Sequence, residues 1–375
     1  KGPDVWLIPN DWMGRHLDKL VAAPEGLFKK NKKDQTTNEE YVKQYFVPVV
    51  AQEVIKDGQV YGLPLYMDTL ALFYNSDIFK NKRRAIEKNT SLSQEERTRQ
   101  SKLYEKPADN WTDLVEQIRG LTGRTGENIQ QAGLALGTSN NVAQAEDILS
   151  LLMLQNGAQM VSPDLINATF YLPVTTQTGQ TIYPAQTALD FYISFAIPSS
   201  PNYSWSGGMP NSVDAFIGGQ TAMMIDYGFR VNEIKQRAPT LNFKIIALPQ
   251  VKGATTALDY PSYLIIGVTK SCQSPEVGWQ LAKKLSAEST YLTATGRVSA
   301  KKPSEEVSIA QRKESSEPFK FQGATAQSWY KGRYPQQVEE NIKRMIDRVL
   351  IDKAPSQTAI EETAKTITEL LRKGK

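Results

Sequence analysis

The stretch Gln59-Val60-Tyr61-Gly62-Leu63-Pro64-Leu65-Tyr66-Met67-Asp68-Thr69-Leu70-Ala71-Leu72-Phe73-Tyr74-Asn75 sets the reading of the fold. Gln59 to Leu65 is a strand-like turn region punctuated by Gly and Pro. Thr69 to Asn75 (TLALFYN) is a short apolar run of strand formers and predicts a buried strand. Upstream, Val5 to Pro9 (VWLIP) predicts another, with Asp11-Trp12-Met13-Gly14 as a loop entering a short helix. Residues 29–40 are polar and predict an exposed loop. Downstream, residues 80–108 are dense in Lys, Arg and Glu and predict a solvated helical insertion or mobile loop.

Helix signals follow. An N-cap in Asp109-Asn110 precedes Trp111, Leu114, Val115, Ile118 and Leu121 at helical period. Ile148 to Leu154 is apolar almost all round and stops at Gly157, which predicts a buried helix. Ala185, Ala188, Leu189 and Tyr192 mark another. Val213 to Ile217 ends at Gly218-Gly219, and the strand Thr221 to Ile225 follows; Phe243 to Leu248 and Tyr263 to Val268 predict two more strands. Ser274-Pro275-Glu276 opens a helix with a cap, a proline in the first turn and an acid at the positive end of the dipole. Val338, Ile342, Met345 and Val349, then Ile360, Ala364, Ile367 and Leu371, predict two closing helices. Strands alternating with helices, without a repeat, give an α/β fold.

The chain has 375 residues, 40% of them hydrophobic and 22% charged, enough for sizeable cores. At about 150 residues per domain this suggests two or three folding units. Its formal charge of +4 is too small, unless clustered, for a nucleic-acid footprint. Cys272 is the only cysteine and His16 the only histidine, which rules out an intrachain disulfide, a Cys-rich zinc site and any two-histidine motif. No nucleophile elbow accompanies His16. Gly120, Gly123 and Gly126 lack the lysine of a phosphate loop and follow a helix, so they predict an ordinary connection. No cofactor is expected. No run of apolar residues is long enough to span a membrane.

What stands out is aromatic residues beside carboxylates at element ends. Trp12 adjoins Asp11, Tyr66 stands near Asp68, and Tyr227 follows Asp226. Trp205 lies in the polar loop NYSWSGGMPN, and Trp329-Tyr330 opens the C-terminal helical region. In open α/β sheets ligands bind at strand ends. Flat rings with a few hydrogen-bonding acids suit sugars, whose C–H faces stack and whose hydroxyls hydrogen-bond. Taken singly, a ring at an element end is more often a core lid or boundary anchor than a ligand contact; taken as a set, these rings favour a ligand.

Several segments, in order, resemble the extracellular solute-binding proteins of bacterial ABC importers, in the maltose-binding-like group. They are Gly2-Pro3-Asp4-Val5; Val60 to Pro64 followed by Asp68 to Asn75; Pro107 to Trp111 before a helix; Phe216 to Met224 with Tyr227-Gly228 beyond; and Gly296 to Ala300. The resemblance implies a periplasmic-binding-protein-like fold of type II, two α/β lobes joined by a hinge with the ligand cleft between them. It places lobe one at residues 1–78 plus about 225–270, lobe two at about 79–224 including the charged insertion 80–108, and residues 271–375 as helical segments packing across both. Relatives carry about fifty residues before the GPDV strand, including a central strand, so the chain is expected to be part of a longer domain, with the family's lipid-bearing cysteine in the preceding part.

The implied function is capture of a small polar solute, a sugar or oligosaccharide above all, by hinge closure and delivery to a membrane permease. The protein is then extracytoplasmic, in the periplasm or lipid-anchored, monomeric, not an enzyme, and without a nucleic-acid partner. Trp12, Tyr66, Trp205, Tyr227 and Trp329 are expected as stacking surfaces, and Asp11, Asp68 and Asn140 as hydrogen-bonding partners. Asp11 and Trp12 match the position after GPDV, Asp68 the acid after the YGLP turn, Tyr227 the aromatic after the AM strand and Trp329 the C-terminal aromatic; Trp205 and Asn140 match no motif. The runner-up is a peptide or amino-acid binder using Arg230 with Asp226 for the zwitterion, followed by a sensor or adhesin of the same fold. An iron-binding relative is disfavoured because no Tyr-Tyr pair occurs.

Overall fold

A computed structural model describes residues 2–374 except 30, 32, 177, 178, 304–311 and 313–316. In chain order the elements that frame the site are β1 (Val5–Pro9), α1 (Pro48–Val54), β2 (Leu63–Pro64), β3 (Asp68–Asn75), α2 (Ser76–Glu87), α3 (Gln94–Leu103), α4 (Trp111–Leu121), α5 (Ala145–Gln155) and α6 (Pro184–Ser194). Then come β4 (Met223–Tyr227), β5 (Phe243–Ile246), β6 (Pro261–Ser262), β7 (Leu264–Val268), α7 (Pro275–Ala287), α8 (Pro335–Leu350) and α9 (Ser356–Lys373).

Two sheets organise them. In the first, β7 lies between β1 and β2, with Val5 opposite Val268 and Ile266 opposite Leu63. In the second, β3 lies between β4 and β5, with Met223 opposite Tyr74 and Phe243 opposite Asn75; β6 extends the β5 side by placing Ser262 opposite Asp68. All these pairings are antiparallel. Every residue of β3 is buried. Leu70 and Leu72 face one hydrophobic core, whereas Ala71 and Phe73 face another with Phe216 and Met224, the period-two alternation of a strand covered on both sides. That is why its sequence reads as an unbroken apolar run.

The sheets belong to different lobes, joined where the chain crosses. β2 leads directly into β3, and β6 directly into β7. Where these passages run side by side, the Leu65 N–H donates to the Leu264 carbonyl at 2.8 Å. A third passage is anchored by the Gln327 N–H, which donates to the Asp259 carbonyl at 2.9 Å.

The hydrophobic cores divide the chain differently from the expected boundaries. Lobe one's core gathers Ile8, Val49, Val50, Leu63, Ile265, Ile266 and Trp279, so α7 belongs to it. The other core joins Leu70, Leu72 and Ile225 to Ile118, Ile148, Leu152 and Tyr192, and also to Ile342 and Ile360. Residues 68–78 and 223–260 therefore sit with the middle of the chain. The closing helices α8 and α9 bury their apolar stripes there too, against α5 and α6, rather than across both lobes. Residues 29–40, expected as a loop, include the start of a helix at Asn38–Tyr45, opened by a Thr37/Glu40 capping box. Segment 80–108 folds as the hairpin of α2 and α3, the latter opened by a Ser93/Glu96 capping box.

Candidate functional site

Between the lobes lies a cavity of about 540 Å³. Lobe one lines it with Asn10, Asp11 and Met13 just past β1 and with Glu53 on α1; lobe two contributes Leu154, Met160 and Val161; the third passage adds Ser328 to Lys331. Lobe one thus presents the segment just past β1 and the end of α1, lobe two the end of α5 and the segment after it, and apolar side chains form part of the wall.

Lys331 is the electrostatic centre. Its side chain is 4% exposed, and its Nζ lies 2.9 Å from Asp11 Oδ2, 2.8 Å from Glu339 Oε1 and 3.6 Å from Asp147 Oδ1. One ammonium therefore ties lobe one, through Asp11, to α5 and α8 of lobe two. Burial works against the lysine charge, but the surrounding acids outweigh it and hold the Lys331 pKa well above its ordinary value. Asp11 is likewise opposed by burial yet ends below its ordinary value because Lys331 adjoins it. One cation does not serve three acids equally: burial raises Asp147 to about 6 and Glu339 to about 7, with Lys331 pulling both back only in part. The Tyr227 hydroxyl completes Asp147 by donating to Oδ2 at 2.6 Å.

A half-buried carboxylate shapes this centre from behind. Glu53 accepts from Asn10 Nδ2 at 2.9 Å and from the hydroxyls of Ser328 and Tyr263. Asn10 precedes Asp11 and Ser328 precedes Trp329, so one side chain fixes two loops far apart in sequence. Burial raises the Glu53 carboxyl to about 6 despite these three donors.

A second cluster lies at the passage from β2 to β3. Asp68 accepts from the N–H groups of Thr69, Gly228 and Phe229 at 2.9, 2.7 and 2.9 Å and pairs with Arg297. Burial raises Asp68 to about 6, with Arg297 opposing. The Arg297 guanidinium lies 4.5 Å from the Tyr66 ring centre and 5.7 Å from that of Phe229, within cation–π reach.

The expected site residues divide accordingly. Asp11 and Trp329 line the cavity, and Tyr227 supports it through Asp147. Trp329 is 6% exposed and donates to Ser150 Oγ at 3.3 Å. Asp68 and Tyr66 meet in the hinge cluster instead. Trp12 is half-buried beside the cavity-lining loop, with the Arg15 guanidinium 5.1 Å over its ring. Two of the expected residues lie away from the cavity. Trp205 is 0% exposed in lobe two's core and donates to Asn141 Oδ1 at 2.8 Å, leaving no face for a ligand. Asn140 is exposed outside the cavity lining; its neighbour Asn141 is the buried partner. Arg230 and Asp226, the pair considered for a zwitterion, bond each other at 2.9 Å, with Asp226 also accepting from Gln144. Among the described residues, no group of three His, Cys, Asp or Glu could hold a metal.

Sequence reasoning missed Lys331, Glu53, Asp147, Glu339 and Arg297. Each is a charged side chain on or beside a helix or turn, and only tertiary packing buries Lys331 and half-buries the others. Lys331 carried a partial signal, since it directly follows Trp329-Tyr330.

Residues 1–290 match the family of bacterial extracellular solute-binding proteins. A binding protein of Brucella abortus (strain 2308) is 22% identical over 251 residues, 66% of this chain; the match spans about half (49%) of that relative's length. Among solved structures, the sugar-binding protein MalE of Xanthomonas citri superposes with a TM-score of 0.71 at 18% identity, covering 99% of this chain and 84% of that one. A Thermotoga lettingae ABC-transporter solute-binding protein bound with α-D-tagatose superposes with a TM-score of 0.66 at 17% identity, covering 99% and 86%. These likenesses establish the two-lobed fold, and the family match extends over most of the sequence: the chain belongs to the bacterial extracellular solute-binding proteins.

Proposed function

We propose that the protein captures a neutral sugar or oligosaccharide in the cavity between its lobes and delivers it to the membrane permease of an ABC importer. The carrying observation is the Lys331 centre, where Asp11 of one lobe meets Asp147 and Glu339 of the other around a single ammonium. Sugar hydroxyls both donate and accept, so they can enter such a centre and bridge the lobes, while Met13, Leu154, Met160 and the Trp329 ring offer apolar surface to the sugar's C–H face. The similar solved structures, one bound with α-D-tagatose and one of a sugar-binding protein, support this choice of solute. With Glu53 nearby, four acids stand against Lys331 and Lys56, so an anionic sugar would meet an excess of like charge. A solute that touches both lobes only when they close shifts the open–closed equilibrium by its differential affinity. No bond need be made or broken. We place the protein outside the cytoplasmic membrane, anchored by lipid or free, and acting as a monomer.

A thermal-shift screen of the whole protein tests this, with neutral mono- and oligosaccharides against uronates, amino acids and short peptides. At a hundredfold excess over Kd a neutral sugar should stabilise the fold by about 2.7 kcal/mol, with a change in tryptophan fluorescence. Stabilisation by amino acids or peptides alone would replace the sugar assignment with the runner-up, and a greater shift with uronates would refute the charge argument.

A further inference from the structure

The hairpin of α2 and α3 carries charge that the cleft does not use. Residues 76–108 hold nine Lys and Arg against five Asp and Glu. Their formal +4 equals that of the entire chain, so the remaining residues are formally neutral. Much of this charge converges. Lys80, Arg83, Arg84 and Glu87 share one face of α2 at three- and four-residue spacing, and Lys244 joins them from β5, where it pairs opposite Tyr74. With Phe79, Tyr104 and Glu105 they line a pocket of about 310 Å³ that shares no residue with the interlobe cavity.

Four cations here face two acids. Arg83 Nη2 is 3.8 Å from Glu87, while its Nε has no hydrogen-bond partner. A solvated helix face spreads its charges outward; this pocket instead draws a fourth cation from a distant strand. Their mutual repulsion is relieved by an anion placed among them. Guanidinium forks match the oxygens of a phosphoryl group, the buried rings of Phe79 and Tyr104 close the pocket behind them, and the carboxylates of Glu87 and Glu105 can accept from the hydroxyls of a small polyol.

We propose that this pocket binds a phosphoryl group carried on a small polyol, of the glycerophosphate type. Such a group is presented either by a free phosphomonoester or by the phosphoglycerol headgroup of an anionic lipid. Two arms distinguish the sources: calorimetric titration of glycerol 3-phosphate into the full chain at low ionic strength, and sedimentation with vesicles of phosphatidylglycerol in phosphatidylcholine against phosphatidylcholine alone. Saturable binding of glycerol 3-phosphate, weakened roughly tenfold in Arg83→Gln/Lys244→Gln and by high salt, supports the free anion. Phosphatidylglycerol-dependent sedimentation lost in the same variant supports the headgroup. The variant's thermal transition and its response to a cleft solute report on folding, and Lys80→Gln/Lys244→Gln, which changes only exposed side chains, replaces it if it fails to fold. Absence of binding in both arms, or binding that survives in the folded variant, overturns the proposal.

Discussion

At the residue scale the decisive group is Lys331. An ammonium buried among three carboxylates is not a source of great stability by itself, because desolvation offsets much of the attraction. Its removal is another matter, since it leaves uncompensated buried charge. Lys331→Met should therefore destabilise the fold by about 3–5 kcal/mol at neutral pH, measured by urea unfolding. The loss should shrink at pH 5, where Asp147 and Glu339, already raised to about 6 and 7, take up protons more readily without the lysine. An equal loss at both pH values would mean that packing around the lysine stem, rather than charge, dominates.

At the element scale the junction of β2, β3 and the turn after β4 decides how the lobes are held. Asp68 opens β3 and accepts from the turn's Gly228 and Phe229 N–H groups while pairing with Arg297. That turn can approach so closely only because residue 228 has no side chain: a Cβ there would lie 2.7 Å from Asp68 Oδ1 and 3.1 Å from the Phe319 ring. Gly228→Ala should lower stability by about 1–3 kcal/mol through overpacking and loosen the Arg297 clasp. Calorimetry of the variant checks the first effect and limited proteolysis at the inter-lobe passages the second. An unchanged melting temperature would show that the turn shifts at no cost.

At the scale of the whole molecule, acids raised by burial couple folding to pH. Glu53, Asp68 and Asp147 rise to about 6 and Glu339 to about 7. Groups whose folded pKa exceeds the unfolded value contribute stability that is fully present below the unfolded pKa and lost as pH rises through the folded one. Between about pH 4 and pH 7 the native state binds more of these protons, so stability should fall as pH rises across that window. His16 opposes this, because burial lowers it and the unfolded chain charges first on acidification, and at the acidic end of the window so do Glu40, Glu96, Glu233 and Glu288, which their hydrogen-bond partners hold below the ordinary value. Urea midpoints should accordingly be higher at pH 5 than at pH 7.5. Glu53→Gln should flatten the slope, because it keeps a neutral group between Asn10, Ser328 and Tyr263 at every pH. A midpoint that rises from pH 5 to 7.5 would contradict the balance.

The sequence by itself determined the elements and the kind of fold. β3 was legible because burial on both faces demands a continuous apolar run, and α4, α8 and α9 because one buried stripe repeats at helical period. Asp11 and Trp329, which line the cavity, stand out in the sequence only by their places at element ends. Which lobe each strand joined was not, because strand pairing is non-local: β3 follows lobe one in the chain yet pairs with β4 and β5. Nor was the charged centre. A lysine becomes the hub of a cleft only when Asp11, Asp147 and Glu339, scattered along the chain, are folded around it, and a tryptophan in a polar loop becomes core only when a lobe closes over it, as with Trp205. Local pattern reports which face of a segment seeks burial; only the tertiary fold decides what that face meets and which charges lose their water.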